Sequence, residues 1–67
     1  MYIFAKDLVN EKIKIDDVSD LYVIVEDRNN TPRLAEALNI LAEKKGYHVV
    51  SSHGVVHSEI VIMKKQE

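Results

Sequence analysis

The part of the chain that most constrains its fold lies between residues 31 and 63, where a helical pattern is followed by two strand patterns. Leucine and alanine recur at helical spacing between residues 33 and 45, which predicts an amphipathic helix. Gly46 comes next and can adopt the left-handed conformation in which many helices end. Two β-favouring stretches, 47–52 and 55–63, then predict a hairpin.

The start of the helix is predicted at residue 32. The hydroxyl of Thr31 can accept a hydrogen bond from a free backbone N–H, and Pro32 occupies the first helical position, where its missing N–H costs nothing. We therefore expect a helix over residues 32–45, ending in two lysines that suit the negative end of the helix dipole. Its apolar stripe consists of Leu34, Ala37, Leu38, Leu41 and Ala42.

The hairpin turn is predicted at His53-Gly54, because a two-residue loop with glycine in second place favours a tight turn between antiparallel strands. In that register His48 faces Glu59, and Val50 faces His57. The expected core face carries Tyr47, Val49, Val56, Ile60 and Ile62. The expected opposite face carries His48, Val50, His57, Glu59, Val61 and Met63.

Five consecutive apolar residues, 21–25, predict a strand buried on both faces. With the helix and the strand at 47–52, it forms a βαβ unit whose two strands run parallel. We place the last strand between these two, antiparallel to both. The predicted fold class is α+β, with a small three- to four-stranded, mainly antiparallel sheet and one helix, at about 32–45, on one face.

Residues 1–67 are expected to form one small domain, with a βαββ core at 21–63 and a less determined segment at 1–20. In that segment we expect an edge strand at 2–5, a helical turn or loop at 6–11, a possible strand at 13–15 and a turn at 16–20. The 67 residues include no cysteine, so apolar packing, alone or with self-association, must stabilise the fold.

The junction between helix and hairpin carries a motif, Lys45-Gly46-Tyr47-His48-Val49-Val50-Ser51, and the last strand ends in Met63-Lys64-Lys65. With the leucine-rich helix, these features make residues 22–65 resemble a family of small βαββ proteins of unknown function, found mainly in prokaryotes, with Gly-aromatic-x-Val-Val at this junction. The family's usual tryptophan is a tyrosine here, and its first strand usually lies nearer the chain start. The resemblance implies a fold and no activity.

Three residues of the hairpin could hold a metal ion. If the turn lies at His53-Gly54, His48, His57 and Glu59 share one face and could converge on a divalent ion. The alternative is a half-exposed polar patch with a His–Glu pair, and it is favoured, because a one-residue slip in register would separate the three. No catalytic residue, cofactor or metal is therefore assigned.

Other polar groups have ordinary interpretations. Ser51, Ser52 and Ser58 lack a group that would orient a base, so no nucleophile is predicted. Asp16, Asp17 and Asp20 fit a turn better than a calcium loop. Residues 28–31 lie between a strand end and a helix start, where anions often bind, but an ordinary capped loop is favoured because the segment has no glycine and Pro32 lacks a donor.

One helix cannot cover both faces of the predicted sheet, and the far face, with Val50, Val61 and Met63, is too apolar to leave in water. Either residues 1–20 or a second subunit covers it, and we expect a homodimer through this face or a strand edge. The formal net charge of −2 provides no electrostatic footprint for a polyanion. No apolar run approaches the roughly 20 residues of a membrane span, so a cytoplasmic protein is expected.

The leading hypothesis is a non-enzymatic interaction or regulatory module that acts as a small homodimer. A nucleic-acid-binding accessory protein is the first alternative, by analogy with other small proteins of sheets and helices. A metal-binding protein or metal-dependent enzyme that uses His48, His57 and Glu59 is the second.

Overall fold

The structure is a computed structural model that describes residues 1–28 and 33–66, except for the side chain of Val55. The chain forms strand β1 (Tyr2–Phe4), helix α1 (Ala5–Val9), a 3₁₀ turn (Ile15–Asp17), strand β2 (Tyr22–Arg28), helix α2 (Arg33–Lys45), strand β3 (Tyr47–Val55) and strand β4 (Ser58–Lys65). Thr31 and Pro32, the expected start of the main helix, lie outside the described residues.

The four strands form one mixed sheet in the order β1-β2-β4-β3. β1 and β2 run parallel, and β4 runs antiparallel to both β2 and β3. The placement of the last strand between the two strands of the βαβ unit is confirmed, and so is the α+β class with a mainly antiparallel sheet. The expected edge strand at the N-terminus is present as β1.

Both helices lie on one face of the sheet, where α1 packs against α2. A single core forms beneath them from apolar side chains of every strand and both helices. Its buried members are Ile3, Ala5, Leu8, Val18, Val23, Val25, Ala37, Leu41, Tyr47, Val61 and Met63. The N-terminal segment therefore adds to the face that α2 already covers.

The prediction of a strand at 13–15 is wrong. The backbone N–H groups of Lys12 and Ile13 donate to the Asp7 carbonyl at 2.8 and 3.2 Å, which closes the end of α1. Ile13 and Ile15 are only partly buried and pack against the core from the helix side. Within the described sheet, β1 is an edge strand and pairs only with β2. The alternation of Ile13 and Ile15 therefore reflects their packing against the core and not a strand beside β1.

The prediction of a turn at His53-Gly54 is also wrong. Val55 pairs with Ser58, so the loop is Val56-His57, and Gly54 lies inside β3 opposite Glu59. The register shifts once more between Val49 and Ser51, which leaves Val50 as an extra residue in β3. Burial decides this register, because a slip of one residue would exchange the two faces of a whole strand.

The new register exchanges the predicted faces of the last strand. In β4, Val61 and Met63 lie in the core, opposite Val25 and Val23 of β2. Ile60 and Ile62, which were expected in the core, point to the other side of the sheet, and Val56 is in the turn with 83% of its surface exposed. Of the expected far-face residues, Val61 and Met63 are thus core residues.

Two further elements agree with expectation. Tyr47 is buried, as predicted for the start of β3. Gly46 has a φ of 73° and donates its N–H to the carbonyl of Ala42 at 3.2 Å, so it ends α2 in the left-handed conformation that favours glycine.

Candidate functional site

The structure does not bring together the three residues considered for a metal site. His48 lies opposite Lys64, whereas Glu59 lies opposite Gly54, so about five residues of strand, or about 16 Å, separate the two positions. Glu59 also alternates with Val61 and Met63 on the helix side, while His48 is on the other side. Within residues 1–28 and 33–66 no group of three or more His, Cys, Asp or Glu side chains could hold a metal ion.

His57 occupies the turn beyond the two strands, with a φ of 63°. The turn lies three residues later than predicted, so His57 is in the loop, whereas His48 and Glu59 are in the strands. His57 is therefore separated from the other two residues of the proposed metal site. The serines are separated in the same way: Ser51 pairs with Ile62 and Ser52 with Val61, so they face opposite sides of the sheet.

Asp16 and Asp17 lie in the 3₁₀ turn, in keeping with the interpretation as a turn. Asp20 has a structural role, because its carboxylate lies 2.9 Å from the N-terminal amino group and its carbonyl accepts a hydrogen bond from the Tyr47 hydroxyl. Burial raises the pKa of Tyr47, and the nearby Asp20 carboxylate raises it further.

The face of the sheet opposite the two helices is called the helix-free face here. Side chains point to it in alternation with the core residues of each strand. Its members are Tyr2, Phe4, Tyr22, Ile24, Glu26, Arg28, His48, Ser51, His53, Ser58, Ile60, Ile62 and Lys64. The aromatic residues among them, Tyr2, Phe4 and Tyr22, come from β1 and β2. In the sequence they occur in two separate short apolar runs, and nothing local indicates that they share a face.

A network of four side chains occupies the β1–β2 end of this face. The Tyr2 hydroxyl donates a hydrogen bond to one carboxylate oxygen of Glu26, and Arg28 Nε donates to the other at 2.7 Å. The Arg28 guanidinium also lies 5.0 Å from the centre of the Phe4 ring, and the Tyr2 and Phe4 rings meet edge to face at 5.7 Å. The network leaves Glu26 only 8% exposed.

The charges in this network stabilise one another. The hydrogen bond from Arg28, followed by that from Tyr2, holds the pKa of Glu26 below its ordinary value. The same contact with Glu26 raises the pKa of Tyr2 and that of Arg28. At neutral pH the network therefore contains an ionised carboxylate, a guanidinium cation and a neutral phenol.

The centre of the helix-free face is apolar. Ile24 pairs with Ile62 and Glu26 with Ile60 across β2 and β4, and all three isoleucines are partly exposed. Tyr22 lies beside them with 49% of its surface exposed, and the Lys64 ammonium lies 5.7 Å from the centre of its ring. Tyr2 is 48% exposed at the edge. The face thus combines an aliphatic centre with an aromatic margin.

A cleft of about 610 Å³, called the charged cleft here, lies at the end of the sheet where β1 and β2 finish. Its basic lining residues are Lys6, Lys12, Arg28 and Arg33, and its acidic ones are Asp7, Glu26 and Asp27. Phe4 contributes an aromatic ring. Of these residues, only Arg28 belongs to the segment 28–31 that the sequence offers for an anion. Lys6 and Lys12 are far from that segment in sequence, and only the fold brings them to the same cleft.

A second cleft, of about 540 Å³, lies between the N-terminal segment and α2. Its walls are largely aliphatic, with Val9, Ile13, Ile15 and Ile40, and Lys14 and Lys44 are at its margin. It gathers no set of groups with evident chemistry, so the helix-free face and the charged cleft are the two candidate functional regions.

Comparison with protein-family models, with curated proteins and with solved structures finds no match for this chain. No helix in the described part of the chain is both long enough and apolar enough to span a membrane.

Proposed function

We propose that the protein is a non-enzymatic interaction or regulatory module of the cytoplasm that acts as a homodimer through its helix-free face. The observation that supports this proposal is the aliphatic centre formed by Ile24, Ile60 and Ile62 on the sheet face opposite both helices. Water in contact with a contiguous apolar patch is unfavourable, and such patches on small proteins usually mark an interface.

The position of the N-terminal segment strengthens this proposal. Residues 1–20 were one of two candidates for covering the far face. Ala5, Leu8 and Val18 of that segment are instead buried in the core beneath the helices, and only Tyr2 and Phe4 reach the helix-free face. A second copy of the chain is the remaining candidate of the two.

The size of the face agrees with a small interface. β1 has three residues and the other strands seven to nine, so at about 3.3 Å per residue and about 4.8 Å between strands the flat area is a little over about 400 Å². Two such faces in contact would bury about 900 Å² in total, at the low end for specific protein interfaces. We therefore expect a dimer that dissociates on dilution.

The charges of the helix-free face favour a protein partner over a polyanion. Arg28 is already paired with Glu26, and Lys64 lies over the ring of Tyr22. Both cations are at the margin of the face, where polar groups typically surround the apolar centre of an interface. The whole chain carries a formal net charge of −2.

Light scattering coupled to gel filtration tests the proposal. From micromolar to millimolar concentration, the mass should rise from the 7.7 kDa of one chain towards twice that value. Ile62→Glu should abolish this rise, because it places a charge at the apolar centre of the interface. Val56→Glu makes a similar change in the exposed turn and should leave the rise intact.

Circular dichroism must show that both variants are folded, and Tyr22→Ser offers a milder change at the same face. A mass of one chain at every concentration would contradict the proposal. So would a dimer that Ile62→Glu and Tyr22→Ser both leave unchanged.

A second candidate function, binding of single-stranded nucleic acid, rests on a different observation. Tyr2, Phe4 and Tyr22 place three aromatic rings on one sheet face, with Arg28 and Lys64 beside them. Bases stack on such rings in several single-strand-binding proteins. Fluorescence anisotropy with a labelled oligonucleotide should then show binding that weakens as salt is added, and no binding at low salt would exclude this function.

A further inference from the structure

We propose that the charged cleft binds a small phosphomonoester that also carries hydroxyl groups. The cleft shares Phe4, Glu26 and Arg28 with the margin of the helix-free face, but its other lining residues do not belong to that face. Ligand binding and the mass of the protein are measured separately, so the failure of one proposal is distinguishable from the failure of the other.

The location of the cleft is the first argument. β1 and β2 run parallel, and Phe4 pairs with Glu26 near the carboxyl ends of both strands. The cleft lies at this shared end, which is where open sheets with parallel strands commonly bind ligands. Its volume of about 610 Å³ is within the usual range of small-molecule sites, roughly 300–1,000 Å³.

The distribution of paired and unpaired cations is the second argument. Of the four basic groups that line the cleft, Arg28 is held by Glu26 at 2.7 Å. The other three, Lys6, Lys12 and Arg33, form no ion pair with any residue in the described ranges 1–28 and 33–66. With four basic and three acidic residues in its lining, the cleft has a small formal excess of positive charge, which attracts an anion.

The geometry of these cations favours a phosphate. Arg33 presents a guanidinium fork that can donate two parallel hydrogen bonds to phosphate oxygens, and the lysines supply compact charges. They reach the cleft from different parts of the chain, because Lys6 belongs to α1, Lys12 follows it, and Arg33 is the first residue of α2. A tetrahedral dianion can contact donors that approach from several directions.

An acidic residue of the cleft explains why the ligand should also carry hydroxyl groups. Asp7 and Asp27 line the same cleft, but Asp27 is only 4% exposed, so Asp7 is the carboxylate that a ligand can reach. A carboxylate without its proton only accepts hydrogen bonds, so Asp7 favours a ligand that carries a hydroxyl donor beside its phosphate. A sugar phosphate and a nucleoside monophosphate share this chemistry.

NMR titration of the ¹⁵N-labelled protein tests the proposal with ribose 5-phosphate, adenosine monophosphate and unphosphorylated ribose. We expect both phosphomonoesters to shift the amide signals of Lys6, Lys12, Arg28 and Arg33, and ribose to shift none. Shifts from adenosine monophosphate alone would assign the ligand to nucleotides, and equal shifts from both would assign it to the shared sugar phosphate.

Charge reversal provides the matched control. The double variant Lys12→Glu/Arg33→Glu should weaken binding at least about tenfold, because it replaces attraction with repulsion on two sides of the phosphate. Lys44→Glu makes the same kind of change at the second cleft and should leave the affinity unchanged. The proposal is overturned if neither phosphomonoester shifts the cleft signals, if ribose shifts them equally, or if Lys44→Glu weakens binding as much as the double variant.

Discussion

The Tyr2 hydroxyl donates a hydrogen bond to Glu26 across the parallel pair formed by β1 and β2. This contact joins a three-residue edge strand to the strand beside it through their side chains as well as through the backbone. Arg28 holds the other carboxylate oxygen, so the carboxylate is bonded on both sides. The Glu26 carboxylate therefore links Tyr2 of β1 to Arg28 of β2 at this edge of the helix-free face.

Tyr2→Phe should raise the pKa of Glu26 towards its ordinary value, because the variant removes one of the two hydrogen bonds that lower it. NMR titration of the Glu26 carboxyl carbon measures this directly. Tyr22→Phe is the matched control, since Tyr22 is on the same face and its hydroxyl makes no hydrogen bond to a described residue. An unchanged Glu26 pKa in Tyr2→Phe would show that Arg28 alone lowers it.

Acid should destabilise the protein through Glu26. The folded state holds the pKa of this carboxyl below its unfolded value of about 4.3, so the folded state binds fewer protons. Its contribution to stability is therefore complete above that unfolded value and is lost as the pH falls through the lower, folded value. Urea unfolding at a series of acidic pH values should show a smaller loss of stability in Glu26→Gln than in the parent. Glu36→Gln, at an exposed position of α2, is the control and should lose as much stability as the parent.

The two sides of β4 should respond differently to truncation. Met63 is 1% exposed in the core, so Met63→Ala should lower the free energy of unfolding by about 2–5 kcal/mol. Ile62 is on the helix-free face and is only partly buried, so Ile62→Ala should cost about 1 kcal/mol at concentrations where the chain is monomeric. Urea unfolding of dilute protein compares the two variants. A larger loss of unfolding free energy in Ile62→Ala than in Met63→Ala would indicate that Ile62 and not Met63 faces the core, as the sequence predicts.

The elements with a single interpretation were predictable from the sequence. α2 shows one apolar stripe and ends at a glycine. The strand predicted at 21–25 is present as β2, but the expected burial on both faces is wrong, because Tyr22 is 49% exposed and Ile24 is partly exposed on the helix-free face. The last strand was different, because Ile60, Val61, Ile62 and Met63 are all apolar and alternation cannot select which two face the core. The extra residue Val50 then changes the face of everything beyond it in β3.

The candidate sites depended on long-range contacts that no local pattern contains. The metal hypothesis failed with the turn on which its register rested. The charged cleft was missed because Lys6, Lys12 and Arg33 are separated in sequence and line one cleft only in the folded chain, where α1 packs against α2 and β1 pairs with β2. Alternation alone places Tyr2 and Phe4 on the same face of their strand. Their position beside Ile24 and Glu26 follows only from the pairing of β1 with β2.

His57→Gly should stabilise the hairpin. His57 has a φ of 63° in the loop between β3 and β4, a conformation that costs a residue with a side chain about 1–2 kcal/mol but costs glycine little. Glycine also loses more entropy on folding, by roughly 0.5–1 kcal/mol, so a net gain of up to about 1.5 kcal/mol is expected in urea unfolding. The matched change at exposed His53, inside β3, should destabilise the protein.

The two glycines should respond differently to substitution by alanine. Gly46 has a φ of 73°, so Gly46→Ala should cost about 1–2 kcal/mol from the backbone alone, since nothing lies within 4 Å of the added Cβ. Gly54 lies in β3 without a positive φ and with the same free space, so Gly54→Ala should be neutral or stabilising by up to about 1 kcal/mol. Urea unfolding of both variants decides the hairpin register, because a turn at His53-Gly54 would require a left-handed glycine and would make Gly54→Ala as costly as Gly46→Ala.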